Sequence, residues 1–393
     1  MLVLGLVYAW SIFAVPLGEA YGWDPSLLPH TFSLSMASFC IGGLVCSYVS
    51  RRLSIGIALR FAATLQASGF VLVSLTASQG IWTVYVFYAV VAGIGCGIAY
   101  TTIISTVNLW FPDKVGFSSG ALMMGFGLGS LTLGTASASA IEVIGLTPTF
   151  IVIGLLSFVV LSILSLLLRP APESVELLFV KKAGGSPVTI VSGPARPMLK
   201  SPLFYLFVAW AMLTLGALLT LIGNSKQGAL SLGVDPTYAT LIVGFVSMMN
   251  GIARITIGLI FDRTSLKTTM TIASLVAIIA MAAIAVAFFN LNPALYYVAA
   301  LLAGFAAGCM PVLSSTFVRE GFGAADYTKN LSYMNFSVAL ASLVSSVTIA
   351  IGSLLGGDTV IYIIHTGSVI SAAIIAMIFF PMYDCTKPSQ KEE

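Results

Sequence analysis

The chain has 393 residues, 58% of them hydrophobic and only 8% charged, with a net charge of +3 and a mean hydropathy of +1.04. Soluble domains carry about 25% charged residues, so a water-soluble globule is excluded and lipid must solvate much of the surface. The net charge is too small to point to nucleic acid.

Twelve apolar stretches are long enough to span a bilayer, which takes about 20 residues each. In chain order they cover 1–17, 29–49, 55–77, 81–110, 117–140, 148–168, 203–224, 237–261, 268–289, 295–318, 328–352 and 359–382. This predicts an all-α membrane protein of twelve transmembrane helices. The first stretch is odd. Its 17 residues make roughly 25 Å of helix, with no charged flank and with Pro16 near the far end. It lacks the basic start and small-residue cleavage site of a signal peptide, so helix 1 is expected to be cut short at its start.

Most connections are short and polar. The exception is 169–202, with Pro170, Pro172, Pro187, Pro194, Pro197 and Pro202 and a Gly-Gly-Ser run. It divides the chain into a six-helix half (1–168), a linker (169–202), a second half (203–382) and a tail (383–393). Lysine and arginine set the orientation. If Met1 is cytoplasmic, that side receives Arg51, Arg52, Lys114, Arg169, Lys181, Lys182, Arg196, Lys200, Arg263, Lys267, Arg319, Lys329, Lys387 and Lys391. The other side receives only Lys226. The expected location is therefore a cell (inner) membrane with both termini cytoplasmic.

The halves repeat at an offset of about 210 residues. Gly93-x-x-x-Gly97 in helix 4 matches Gly304-x-x-x-Gly308 in helix 10. Met124-Gly-Phe126 in helix 5 matches Met334-Asn-Phe336 in helix 11, and Arg51-Arg52 after helix 2 matches Asp262-Arg263 after helix 8. Small residues four apart let helices approach closely. Three matches in one helix order describe two parallel six-helix repeats, the major facilitator architecture, with a substrate site between the halves near the midplane.

The five cysteines (Cys40, Cys46, Cys96, Cys309, Cys385) form no CxxC pair or Cys/His cluster, and the only histidines are His30 and His365. A zinc site or disulfide framework is not expected. There is no Walker-type Gly-Lys-Ser/Thr, no GxGxxG after a strand and no Ser/His/Asp set. Neither an ATP-driven pump nor an enzyme finds support, and no cofactor or metal is expected.

Arg254 is the one charge placed clearly inside a span. It precedes Asp262 by eight residues, about 12 Å along helix 8. A charge inside the bilayer is costly and marks function by default, and the planar guanidinium fork suits a carboxylate. The competing reading is an arginine snorkelling to the surface. Asn250, one turn earlier on the same face, is placed to orient the guanidinium or the ligand. Tyr8 and Trp10 in helix 1 and Tyr100 in helix 4 are candidate cavity aromatics, with packing as the competing role. Asn335, near Tyr333 and Ser337, gives helix 11 a polar stretch. Gly258 through Asp262-Arg263 reads as a conformational turn: the glycine for close approach, the charges to latch neighbouring helix ends. Gly120, Gly125, Gly127 and Gly129 in helix 5 read as packing or hinge positions.

Several of these segments resemble the oxalate/formate antiporter family of the major facilitator superfamily, which is related to the monocarboxylate porters. They are Tyr8-Ala-Trp10-Ser11, Gly93-Ile-Gly95-Cys96-Gly97-Ile-Ala-Tyr100, Trp110-Phe111-Pro112-Asp113-Lys114-x-Gly116 with the glycines after it, and Asn250-Gly251-x-x-Arg254 with Asp262. The resemblance implies that Arg254 binds a substrate carboxylate and that Tyr8, Trp10 and Tyr100 contact it. Oxalate carriers of the family place a second cation, a lysine, in helix 11. Here 330–352 has no Lys or Arg, and the position falls near Val338. The expected cargo is therefore a monocarboxylate such as formate, lactate or pyruvate.

The expected activity is secondary transport by alternating access, with exchange favoured over proton coupling because no Asp or Glu lies deep in a span. Alternatives are a proton-linked monocarboxylate symporter, an exporter of neutral or lipophilic compounds, and a sensor that does not transport. The expected partners are a small carboxylate and the lipid bilayer, with no nucleic acid, for a monomeric carrier.

Overall fold

The computed structural model describes residues 1–24, 27–49, 54–111, 114–172, 197–323 and 326–384. The basic turn Arg51-Arg52, the pair Pro112-Asp113, most of the linker, and the tail with Cys385 lie outside these residues. The described residues form helices joined by short turns and contain no strand.

A 3-10 segment, Leu2–Ala9, passes into α1 (Trp10–Tyr21). There follow α2 (Leu28–Val49), α3 (Ile55–Thr76), α4 (Ile81–Trp110), α5 (Val115–Ile144) and α6 (Leu146–Leu167). The second set is α7 (Pro202–Ser231), α8 (Pro236–Arg263), α9 (Leu266–Phe289), α10 (Pro293–Phe322), α11 (Tyr327–Leu355) and α12 (Asp358–Asp384). Eleven of the described helices are long and apolar enough to cross a membrane. The remaining element is the first. Its 3-10 winding rises about 2 Å per residue against 1.5 Å in an α-helix. With α1 running on to Tyr21, the two pieces together reach roughly 34 Å. This exceeds the length expected from sequence, because that estimate assumed α-helical rise and an end at residue 17.

Local sequence explains several boundaries. Proline opens α7, α8 and α10, where its missing N–H costs nothing. Gly145, at φ +86°, turns the chain between α5 and α6, a conformation that a side chain disfavours. Ser54 caps α3 by accepting from the Ile57 amide at 3.4 Å, and Ser265 caps α9 by accepting from the Thr268 amide at 3.3 Å.

The chain divides into two compact units. The first is Met1–Ser192 with Val318–Phe336, and the second is Gly193–Phe317 with Ser337–Glu393. In the first, α3 packs along α6 and α2 along α4. Its core is aromatic, built on Trp10, Phe13, Phe70, Tyr88 and Phe150. In the second, α12 packs against α7 and α9 around Phe288, Tyr296 and Tyr362. Outward faces carry large apolar side chains. On α6, Leu155, Val159, Ile163 and Leu166 are each more than half exposed. Side chains of this kind belong against lipid.

The glycine contacts reproduce the internal repeat position by position. A Cβ on Gly97 would lie 2.0 Å from the Phe39 carbonyl oxygen, and one on Gly308 would lie 2.1 Å from the Asn250 carbonyl oxygen. Gly97 and Gly308 are 211 positions apart, and so are Phe39 and Asn250. The α2–α4 and α8–α10 crossings are therefore the same crossing. The capping serines Ser54 and Ser265 share the offset. Gly5, pressed on Phe126 and Gly129 of α5, and Gly216, pressed on Ala341 and Val344 of α11, share it as well. Their partners do not: Phe126 and Ala341 stand 215 apart, one helical turn further on.

Candidate functional site

Arg254 is buried, with 8% of its surface exposed. It shares a face of α8 with Asn250 one turn before it, while Ala253 and Ile257 beside it are fully buried. That face is where α8 meets α10: a Cβ on Gly308 would touch both the Asn250 carbonyl and the Ala253 side chain. Arg254 thus sits on a helix face that meets a glycine-tight crossing, and Asn250 on the same face is half-buried. A guanidinium inside an apolar helix bundle can bind an anion with a matching fork of acceptors. Gly258 is buried one turn further along. Asp262 is half-buried and Arg263 exposed at the end of α8.

The repeat gives Arg254 a counterpart, Gly43 on α2, 211 positions earlier. Gly43 is itself crowded: a Cβ there would stand 3.0 Å from the Thr101 hydroxyl and 3.1 Å from the Ser332 hydroxyl. The charge therefore belongs to one half only.

The other residues singled out from sequence fall in the first unit. Tyr100 is buried on α4, edge-on to Phe39 at 5.1 Å and to Phe126 at 5.3 Å. Trp10 is buried, its ring 5.0 Å from that of Tyr88, and its indole N–H donates to the Leu28 carbonyl at 2.9 Å. The polar tip that was to face a ligand is thus engaged within the unit's own core. Tyr8 lies in the 3-10 segment. Asn335 on α11 accepts at its backbone carbonyl from the Cys40 thiol at 3.5 Å, and the Tyr333 and Tyr48 hydroxyls approach to 3.5 Å. Among the described residues no group of three or more His, Cys, Asp or Glu could hold a metal ion.

Three polar arrangements were not read from sequence. On α4, the Asn108 amide donates to the Ser119 hydroxyl at 2.8 Å and to the Tyr327 hydroxyl at 3.0 Å, and its oxygen accepts from Ser118 at 2.7 Å. Around the 3-10 segment, Gln66, Cys96 and Tyr88 donate to the carbonyls of Val3, Leu4 and Leu6. In the second unit, Thr220, Ser345 and His365 meet. The one cue available was a polar residue in an apolar span. Trp110, in the motif that carries the family resemblance, donates from its indole N–H to the Arg169 carbonyl at 2.9 Å, joining the end of α4 to the end of α6.

The chain matches the Major Facilitator Superfamily over residues 1–346. It is 26% identical over 387 residues to the oxalate:formate antiporter of Oxalobacter formigenes, covering 96% of this chain and 88% of that protein. It is 25% identical over 338 residues to the uncharacterized MFS-type transporter YhjX of Escherichia coli, covering 85% and 82%. It is also 25% identical over 292 residues to monocarboxylate transporter 12-B of Danio rerio, covering 68% and 60%. Among solved structures it superimposes on the proton:xylose symporter XylE with a TM-score of 0.70 at 18% identity, covering 97% of this chain and 92% of that one. It superimposes on FucP in the outward conformation with a TM-score of 0.67 at 14% identity, covering 96% and 97%. The fold, the repeated glycine crossings and the matched length agree, and the chain belongs to the major facilitator superfamily as a multi-pass membrane transporter.

Proposed function

We propose that this transporter exchanges small monocarboxylates, of the formate, lactate or pyruvate type, by alternating access. The observation that carries the reading is the buried Arg254 beside Asn250 at the α8–α10 crossing. One guanidinium and one carboxylate form a neutral pair, which crosses a low-dielectric occluded state at far less cost than a bare buried cation. A carrier with one such cation returns most easily when loaded, so exchange is favoured over net uniport. The absence of a second cation from 330–352 matches a monoanion better than a dianion. The antiporter and monocarboxylate transporter relatives are named for small carboxylates, which supports the same substrate class here.

In this reading Tyr8, Tyr100 and Asn335 complete the ligand's surroundings. Trp10 contributes by holding the first helix in place. Asp262, Arg263 and Gly258 serve the change of conformation. The protein acts in a cell (inner) membrane as a monomer with both termini cytoplasmic. Reconstituted vesicles preloaded with unlabelled formate, lactate or pyruvate should accelerate entry of the labelled anion, and oxalate should not substitute. Lack of trans-stimulation by every small monocarboxylate would refute the proposal.

A further inference from the structure

The second unit contains a polar node whose hydrogens can be counted. The Thr220 hydroxyl on α7 has three neighbours: the Gly216 carbonyl at 3.2 Å, the Ser345 hydroxyl of α11 at 2.7 Å and the His365 Nε2 of α12 at 2.7 Å. A threonine hydroxyl donates once and accepts twice. Gly216 offers only an acceptor, and with the Thr220 hydrogen directed there Ser345 and His365 both donate. The opposite arrangement, Thr220 donating to Nε2, would bury an Nδ1–H with no acceptor among the described residues, so the contacts favour the tautomer protonated at Nε2. Its Nδ1 is left as an acceptor with no donor among the described residues, in a side chain with 0% exposure. The Tyr362 ring stands 6.5 Å away. One turn back from the node, a Cβ on Gly216 would meet Val344 at 2.9 Å and the Ala341 carbonyl at 3.0 Å. The node therefore sits at the place where α7 and α11 cross, and α12 supplies the donor that completes it.

We propose that His365 is a positioning residue for transport: its Nε2–H, through Thr220 and Ser345, fixes the crossing of α7 and α11 and so the substrate-binding geometry of this half. His365 does not touch the ligand. The transport part rests on the carboxylate-exchange reading above, whereas the node itself does not.

The test uses the full-length chain. His365→Gln keeps an amide N–H near the position of Nε2, His365→Asn places its polar atoms nearer Nδ1, and His365→Phe keeps the bulk alone. In formate counterflow, Phe and Asn should raise KM about tenfold, the effect of one buried hydrogen bond. Gln should stay within about threefold of wild type, and Thr220→Val should match Phe. Two readouts need no substrate. Nitrogen-15 spectra of histidine-labelled protein, in which only His30 and His365 contribute, should give a signal protonated at Nε2 that His365→Gln removes. Melting in detergent should fall for Phe and recover for Gln. A signal protonated at Nδ1, or a Phe variant with wild-type KM and melting, would overturn the proposal. So would a folded Gln variant as impaired as Phe. If no carboxylate is exchanged at all, the carboxylate reading fails while the spectra and melting curves still decide the node.

Discussion

Arg254 and Gly43 occupy equivalent places in the two halves, 211 positions apart on helices that make the same crossing. One half carries a buried guanidinium where the other has no side chain, and the Thr101 and Ser332 hydroxyls close in on that glycine. The repeat is shared between the halves, and the buried charge is a departure from it.

Arg254→Lys keeps the charge and loses the fork, so counterflow of a monocarboxylate should fall at least tenfold, about the value of one charge-assisted hydrogen bond. Arg254→Gln should abolish it. Labelled-formate exchange in proteoliposomes measures both, and wild-type exchange in the lysine variant would remove Arg254 from the site.

Asn108 satisfies both its N–H groups and its oxygen within one buried cluster. Asn108→Ala removes the three bonds that the amide makes with Ser118, Ser119 and Tyr327, at about 2–4 kcal/mol of stability. Tyr327→Phe removes one of these bonds and should cost about 1 kcal/mol. The double variant should fall short of the sum, because the two residues share a bond. Denaturant unfolding in detergent reports all three.

The glycine crossings make a sharper contrast. Gly97→Ala and Gly308→Ala push a methyl to within about 2 Å of a helix carbonyl, and neither backbone can retreat without parting the helices. Both variants should yield little monodisperse protein. Gly223→Ala, on α7 with nothing within 4 Å of the added carbon, should behave as wild type. Size-exclusion profiles decide the comparison.

At the start of α9 the Lys267 ammonium meets Asp384 at 2.7 Å and stands 5.7 Å from the Phe380 ring. Both charged side chains are well exposed, so Lys267→Ala should change stability by less than about 1 kcal/mol. Ser265→Ala, two residues earlier, removes a helix cap and should cost about 1 kcal/mol. Thermal melting in low and high salt separates the two, since only the ion pair is screened.

The spans, the repeat and the glycine crossings were legible because each is written in neighbouring residues: hydropathy runs and small residues four apart. Arg254 stood out for the same reason, as a charge in an apolar run. The His365 node joins residues 125 and 145 positions apart, and no local pattern encodes that meeting. Trp10 was legible as an aromatic in the first helix, but its N–H bond to Leu28 depends on how the following turn brings α2 back. The offset of 215 between Phe126 and Ala341 lies in how α5 packs on the 3-10 segment and α11 on α7, which a sequence period does not contain.

The 3-10 winding of Leu2–Ala9 has a mechanical consequence. Its carbonyls are gripped by Gln66 from α3 and by Tyr88 and Cys96 from α4. Rewinding these eight residues as α-helix would shorten them by roughly 4 Å and turn each one relative to the last. That would pull the Val3, Leu4 and Leu6 oxygens out of register with three donors that have no reason to follow. The opening stretch of the chain is therefore geared to α3 and α4. When those helices tilt, this segment is bound to tilt with them.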